Sequence, residues 1–401
     1  MLGTGFGAFN LITKIGDGYD ITVVSPRNHF LFTPLLPSTT VGTVEFRSII
    51  EPVRHARWRL RFLHARAEGI DPKRRLVRCT GAVSGERFTV RYDTLVIAVG
   101  AISNSYNVPG VERYTLFLRE LNDARVLRQR IIQSFERANL PTATTEERRR
   151  LLHFVICGGG PTGVEFAAEL HDFLTEDLHR SYPDLVPLAR ISIVEASHGL
   201  LNSFDEKLRQ YAEELFHRQQ IQVLRGSPVT RVTATEVRLK SGTVLSYGLL
   251  LWSTGNGPTP FVSSLPLPKN PRGQLIVDTT FRVSGTRDIY ALGDCAVLTD
   301  SPLPETAQVA QQQGKYLARS LNAIARGVAP EPFRYRHLGM LAYIGGNRAL
   351  ADLQNFKGRG RTAWLFWRSA YLTRVVGVKN KVLVLFDWMK ARLFGRDISQ
   401  F

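Results

Sequence analysis

The chain has 401 residues, 44% apolar and 22% charged, with 52 lysines and arginines against 35 aspartates and glutamates. This composition excludes a disordered or fibrous chain and predicts two or three domains with ample core. The net charge of +17 points to an anionic partner: a membrane surface, nucleic acid or anionic cofactors.

Cys79, Cys157 and Cys295 form no C-x-x-C, which excludes a dithiol redox pair or a zinc ribbon. No apolar run reaches the ~18 residues of a membrane-crossing helix. The unpaired cysteines fit an intracellular, reducing setting, and no signal or transit peptide is visible. The chain also lacks a D-x-[DN]-x-[DN]-G run, so no calcium loop and no other metal site are expected.

The chain opens on Gly3-Thr4-Gly5-Phe6-Gly7-Ala8, a G-x-G-x-x-A at the head of a helix. Such a turn needs a strand before it, and only Met1 and Leu2 precede it. The first, central strand is therefore expected to be largely missing: either upstream residues are absent, or Met1 is not the natural start. The next strand, Ile21–Val24, ends on Ser25 where an acid is usual, followed by Pro26 and Arg27. The Ser25 hydroxyl can bond a ribose, and Arg27 a phosphate or an adenine. The run His29–Ser38 reads equally well as a core loop or as a wall for a flat ring system.

Arg54–Arg66 alternates basic and apolar residues and predicts an exposed edge strand that ends over Ala67–Asp71. Leu95–Val99 is continuously apolar and ends at Gly100, as in a strand covered on both faces. Residues 113–150 predict a charged helical connector in which Arg125, Arg128, Arg130, Arg137 and Arg148–Arg150 form a solvated face.

Phe154–Cys157 then predicts a strand, Gly158, Gly160 and Gly163 follow at G-x-G-x-x-G spacing, and a helix begins at Pro161-Thr162. Gly158 allows the turn, Gly160 admits a pyrophosphate, and Gly163 lets helix and strand pack closely. The helix N-terminus offers free N–H groups to phosphate. At the end of the next strand stands Glu195, which would bond a ribose 2′-OH and repel a 2′-phosphate, favouring NADH over NADPH. Its distance from the glycines exceeds the usual spacing of roughly 20 residues, the surplus lying in Thr175–Arg190. Leu249–Thr254 predicts another buried strand, ending at Gly255. The chain thus carries two nucleotide-binding units by pattern, one inserted in the other.

Asp294 follows a short strand, Ile289–Leu292, and is placed to bond a sugar hydroxyl or a pyrophosphate water, or to cap a helix. On the helix over Pro304–Ser320, Gln308 and Gln312 share a face, either lining a polar pocket or lying on the surface. Residues 357–401 carry ten basic against two acidic side chains. There, Thr362–Val376 sets Trp364, Trp367, Tyr371 and Val375 opposite Arg368 and Arg374. Val382–Phe394 is apolar with Trp388, and Lys390, Arg392 and Arg396 close it. Such segments suit a membrane interface, or packing on the body or in a dimer seam.

Together these motifs resemble the type II (alternative) NADH:quinone oxidoreductases of plant, fungal and protist mitochondria, over essentially the whole chain. The resemblance rests on Gly3–Ala8, SPRNHFLFTPLLPS at 25–38, GGGPTGVEFAAEL at 158–170, Leu292–Asp294, AQVAQQ at 307–312, WRSAYLTR at 367–374 and FGRDIS at 394–399. It implies an α/β flavoprotein of two Rossmann-like dinucleotide-binding domains, of the pyridine-nucleotide-disulfide-oxidoreductase kind, with a C-terminal amphipathic helical membrane-docking region. The implied boundaries are 1–112 and 271–350 for FAD, 113–150 as connector, 151–270 for NADH and 351–401 as anchor.

On this resemblance FAD lies near Gly3, Thr4, Gly5, Phe6, Ser25, Pro26, Arg27, Thr33, Ala67, Gly100, Asp294 and Gln308. NADH lies near Gly158, Gly160, Pro161, Thr162, Gly163, Glu195 and Gly255. Quinone is implied beside Gln308, Gln312 and Tyr343. Glu165 is implied to position nicotinamide or assist proton relay, with Glu169 one turn on. The implied reaction passes hydride from NADH to FAD and two electrons to a ubiquinone-like acceptor, without proton pumping. A homodimer docked peripherally on the mitochondrial inner membrane is implied, without nucleic acid. The rival readings are a sulfide:quinone oxidoreductase, which needs a cysteine pair, and a nucleic-acid-binding flavoprotein of the apoptosis-inducing-factor type.

Overall fold

The structure, a computed structural model, describes residues 1–299 and 301–399. Contacts divide the chain into two compact units. The first comprises Met1–Leu31, Ile50–Ile102 and Asn256–Arg336. The second comprises Phe32–Ile49, Ser103–Gly255 and the chain from His337 onward.

The first unit is built on a sheet with a parallel centre. Thr22–Ser25 pairs in parallel with Arg61–Asp71, in the register Thr22 to Arg61. Leu95–Ile97 pairs in parallel with Ile289–Ala291. The expected first strand is short, but its slot is filled. Leu2 forms parallel bridges to both Val24 and Ile97. Its N–H donates to the Val96 carbonyl at 2.8 Å, and its own carbonyl accepts from Ala98 at 2.9 Å. The Met1 amine donates to the Thr22 carbonyl at 2.7 Å. Two residues thus supply the backbone bonds of a central strand, because a buried sheet cannot leave a row of polar groups unpaired. Leu2 is 1% exposed, in a core with Ile97, Ile289 and Leu317.

The stretch expected as an edge strand is corrected. Its strand begins at Arg61, runs through Ala67 to Asp71, and is paired on both sides, antiparallel to Leu76–Gly81 on the far side. The arginines mislead because Arg61 and Arg66 point outward while Phe62 and Ala65 are buried. Alternation fixes which face is solvated, not whether an edge is free.

The second unit has a parallel sheet in the order Gln222–Leu224, Arg190–Val194, His153–Cys157, Leu249–Trp252. Helix Pro161–Phe173 buries Val164, Phe166, Ala167, Ala168 and Leu170. Each fully buried Phe or Leu contributes roughly 1.5–3 kcal/mol. The surplus before Glu195 is a π-helical turn, Leu174–Leu178, a short helix, His179–Ser181, and a 3-10 turn. The connector is helix Leu121–Asn139, opened by a capping box from Glu120 and Asp123, and helix Thr145–Leu151. Its solvated face has one exception: Arg128 is 5% exposed, and its guanidinium donates to the Asp397 carbonyl at 2.7 Å.

A three-stranded meander, Met340–Gly345, Arg348–Leu353 and Phe356–Gly360, leads into helices Arg361–Arg374 and Val378–Phe394. Among the described residues no helix is long and apolar enough to cross a membrane. The tail's aromatic face differs from the expectation. Trp367, Tyr371, Val375 and Trp388 are buried, and Arg368 lies over the Trp364 ring at 4.2 Å instead of opposite it, and over the Trp388 ring at 4.7 Å. The exposed apolar face consists of other residues, among them Phe366, Val382, Phe386, Met389, Leu393 and Phe394. Four of these recur at Val382, Phe386, Met389 and Leu393, one stripe of a single helix.

Candidate cofactor and active-site residues

In the first unit, Gly3 adopts φ +101, and a Cβ there would strike the Ala98 carbonyl. Gly5 is the N-cap of helix Phe6–Ile12, and a Cβ there would meet nothing within 4 Å. No side chain therefore stands over the Gly5 end of this helix, the end at which an anion cradle forms. Thr4 and Ser25 are buried, and their hydroxyls lie 3.2 Å apart. Ser25 Oγ also accepts the Arg27 N–H at 3.1 Å. Ser25 thus ties the turn to the loop carrying Arg27, whose Nε donates to the His29 carbonyl at 3.2 Å. The Pro26 carbonyl pairs with His64 Nε2 at 2.9 Å. Ala67 sits within the strand at a register shift, and Gly100 adopts φ +67 with open space beyond it.

Asp294 lies in a 3-10 turn, Gly293–Cys295, at the end of strand Ile289–Ala291. Two residues hidden from sequence reading hold that turn. Gln313 Oε1 accepts the Gly293 N–H at 2.7 Å, and Gln274 Nε2 donates to the Asp294 carbonyl at 3.2 Å. Gln308 and Gln312 are half-buried, one turn apart on helix Ala307–Ile324. The Gln312 amide is engaged at both ends: it donates to the Arg336 carbonyl at 2.8 Å and accepts the Arg336 N–H at 3.0 Å. A second close approach also escaped the sequence. Gly314 packs on the Gly7 carbonyl, which a Cβ there would strike, while a Cβ on Gly7 would meet the Leu292 side chain.

In the second unit, Gly158 adopts φ +117, and a Cβ there would strike the Ser253 carbonyl. A Cβ on Gly163 would strike the Gly158 carbonyl. Gly160 caps helix Pro161–Phe173 with open space around its Cα, Pro161 takes the first helical position, and Thr162 is exposed beside it. Glu195 braces this turn: Oε2 accepts the Gly159 N–H at 2.6 Å and Oε1 the Ser197 N–H at 2.7 Å. Gly255 adopts φ +67, and its Cα lies beneath the Tyr106 hydroxyl. The Gly255 carbonyl accepts from Arg119 Nη2 at 3.3 Å. Tyr106 and Arg119 carry no motif and were not singled out. Thr33, at the start of a 3-10 turn, belongs to this unit.

Glu165, Glu169 and Asp172 are all buried on one helix. Tyr343 joins both ends of this row. Its N–H donates to Glu165 Oε1 at 3.0 Å, and its hydroxyl to Asp172 Oδ2 at 2.5 Å. Burial pushes the Glu165 carboxyl up to about 8, against the Tyr343 N–H, which stabilises its charge. The Tyr343 phenol is pushed well above its ordinary range by burial and by the Asp172 charge. It therefore stays a hydrogen-bond donor. The structure brings Glu165 and Tyr343 together in the second unit, whereas Gln308 and Gln312 stand in the first.

All three cysteines are buried free thiols, so the pair that a sulfide:quinone oxidoreductase needs is absent among the described residues. Burial raises the Cys157 thiol to about 12 and the Cys295 thiol to about 11.

Residues 1–314 match the family model described as pyridine nucleotide-disulphide oxidoreductase, and residues 337–397 match that of the NDH2 C-terminal domain. The chain is 44% identical to a probable NADH dehydrogenase of Dictyostelium discoideum, covering all of this chain and 90% of the relative. It is 40% identical to an internal alternative NAD(P)H-ubiquinone oxidoreductase A1, mitochondrial, of Solanum tuberosum, covering 100% and 87%. The solved structure of NDH2 from Plasmodium falciparum in complex with NADH is similar with a TM-score of 0.95 at 27% identity, covering 100% and 99%. With both family models matched in order and full-length relatives at this identity, the chain belongs to the type II NADH:quinone oxidoreductase family.

Proposed function

We propose that this protein oxidises NADH and reduces a ubiquinone-like acceptor without pumping protons. The observation that carries this reading is the presence of two glycine cradles in one chain, each with an open helix N-cap, at Gly5 and Gly160. The first cradle fits FAD: Gly3–Phe6 for the pyrophosphate, Ser25–Arg27 for the adenosine side, and Asp294 in the turn held by Gln313. When bound, FAD supplies the two-electron exchange, taking hydride from NADH and passing the electron pair to quinone.

The second cradle receives NADH. Gly158, Gly160 and Gly163 admit the pyrophosphate, and the helix dipole favours its charge. Glu195 selects a ribose hydroxyl over a 2′-phosphate. Glu165 holds or delivers a proton at neutral pH, and Tyr343 orients its carboxyl through the backbone N–H. Gln308 and Gln312 are assigned to the quinone side, Gln312 through its hold on the backbone at Arg336.

The membrane reading is also a proposal. The exposed stripe Val382, Phe386, Met389 and Leu393, with nearby basic residues, suits the headgroup region of a bilayer. Of the basic flank, Lys390 pairs with Glu45 at 2.6 Å and Arg396 with Asp177 at 2.7 Å. Arg392, Lys379 and Lys381 therefore meet the lipid charge. Relatives named mitochondrial support a mitochondrial setting, and the proposal places the protein peripherally on the inner membrane as a homodimer.

The test is NADH-dependent reduction of a short-chain ubiquinone by protein supplied with FAD, with NADPH as control. Turnover with NADH well above that with NADPH supports the reaction and the role of Glu195. Flavin that is bound and reduced without transfer to quinone overturns the acceptor assignment. Salt-dependent DNA binding that persists after deletion of 357–401 would favour the nucleic-acid-binding flavoprotein.

A further inference from the structure

The C-terminal FGRDIS segment reaches the buried carboxylate row. Arg396 lies just beyond helix Val378–Phe394, yet its side chain is only 9% exposed. Its Nε donates to Thr43 Oγ1 at 2.9 Å. A hydroxyl has a single proton, so Thr43, accepting from Arg396, directs that proton onward to Glu169 Oε2 at 2.7 Å. Ser38 Oγ donates to the other Glu169 oxygen at 2.6 Å. Arg396 is itself fixed: Nη1 reaches Asp177 at 2.7 Å and Glu176 at 3.0 Å, and its backbone N–H donates to Asp177 at 2.9 Å.

The three carboxyls of the row are thus unequally served. Glu169 has two hydroxyl donors and a guanidinium behind one of them. Asp172 has the Tyr343 hydroxyl and the Gly346 N–H. Glu165 has the Tyr343 N–H and, from helix Arg361–Arg374, the Tyr371 hydroxyl, but no cation among the described residues acts on it. We propose, resting on the NADH:quinone reading above, that Arg396 is a positioning residue: through Thr43 it keeps Glu169 ionised, so that the mobile proton of the buried row resides on Glu165.

The charges around the row agree. Glu165 faces Glu169 on its own helix, Tyr343 from strand Met340–Gly345 and Tyr371 from helix Arg361–Arg374. Glu169 faces Arg396, Asp172 and, from helix Arg361–Arg374, Arg368. Asp172 faces Tyr343 and His171. Helix Leu36–Thr40 brings hydroxyls and no charge. Strand His153–Cys157 meets this helix through the apolar Ile156, at Gly163. Burial raises both glutamates, but the Arg396 charge and the two hydroxyls oppose it at Glu169, while the Glu169 charge adds to it at Glu165. Two carboxyls this closely coupled titrate as a pair, and the fixed cation decides which one keeps the proton.

The test reads protonated carboxyls directly, by infrared spectroscopy of the FAD-loaded enzyme at neutral pH, with Glu165→Gln to assign the band. The wild type is expected to show one Glu165 carboxylic-acid band. Arg396→Gln is expected to add a second, from Glu169, and to lower the pH midpoint of quinol formation by about one unit, since a neutral Glu169 no longer repels charge on Glu165. Arg396→Lys is expected to keep the single band. Thr43→Val, which removes the linking hydroxyl and spares the cation, is expected to shift the midpoint in the same direction, and it carries the test if Arg396→Gln does not fold. An unchanged band pattern and midpoint in both Arg396→Gln and Thr43→Val overturn the proposal. Absence of quinone turnover in the wild type instead overturns the functional reading, while the infrared comparison still stands.

Discussion

Replacing Phe386, Met389 and Leu393 by serine tests whether the C-terminal stripe docks on lipid. These side chains are 54%, 53% and 69% exposed, so the triple change removes little packing from the protein. Full burial of such a side chain yields roughly 1.5–3 kcal/mol. With about half of each surface still available to lipid, each contributes roughly 1–1.5 kcal/mol. The three together amount to about 3–4 kcal/mol, or a loss of about 10²–10³-fold in vesicle partitioning. Cosedimentation with vesicles of mixed neutral and anionic lipid, at low and high salt, measures it. Salt should weaken the wild type through its basic residues, whereas the triple variant should lose the salt-insensitive part. Thermal unfolding should be near that of the wild type. A partition coefficient within threefold of the wild type would refute the reasoning and turn that face toward a protein partner.

Gly163→Val drives a side chain into the Gly158 carbonyl, so it should destabilise the second unit by about 3 kcal/mol or more, measured by denaturant unfolding, and abolish flavin reduction by NADH. Gln313→Leu leaves the Gly293 N–H, which now donates at 2.7 Å, without its partner. It should cost about 1–3 kcal/mol and release FAD more readily, read by flavin fluorescence after dilution. Glu165, raised to about 8, binds its proton more tightly folded than unfolded. Its contribution to stability is therefore fully present below about pH 4.5 and is lost as pH rises toward and past 8. Melting temperatures of the wild type should accordingly fall relative to Glu165→Gln over that window, and parallel curves would contradict it.

The two glycine fingerprints, the continuous strands Leu95–Ile97 and Leu249–Trp252, and Glu195 at its strand end were all legible in the residues. Each depends on a local demand that only a few residue types meet. The carboxylate row was half legible: Glu165 was singled out and Glu169 noted, but Asp172 was not, nor was the Tyr343 hydroxyl as its donor. Arg396 looked like one more flanking charge. The tail's aromatic residues misled for a related reason, since a helix can present apolar residues to a body on one side and to solvent on the other.

By itself, then, the sequence determined the α/β class and the two glycine turns, because tight turns and buried strands impose their residues locally, and its motifs carried the resemblance to the family. Only the tertiary structure decided that Leu2 serves as a central strand, that Arg61–Asp71 is an interior one, that Gln313 holds the Asp294 turn and that Arg396 faces inward. These outcomes depend on which distant backbone or side chain fills the adjoining space, and partners 178 residues apart, such as Glu165 and Tyr343, leave no periodicity in the chain to announce them.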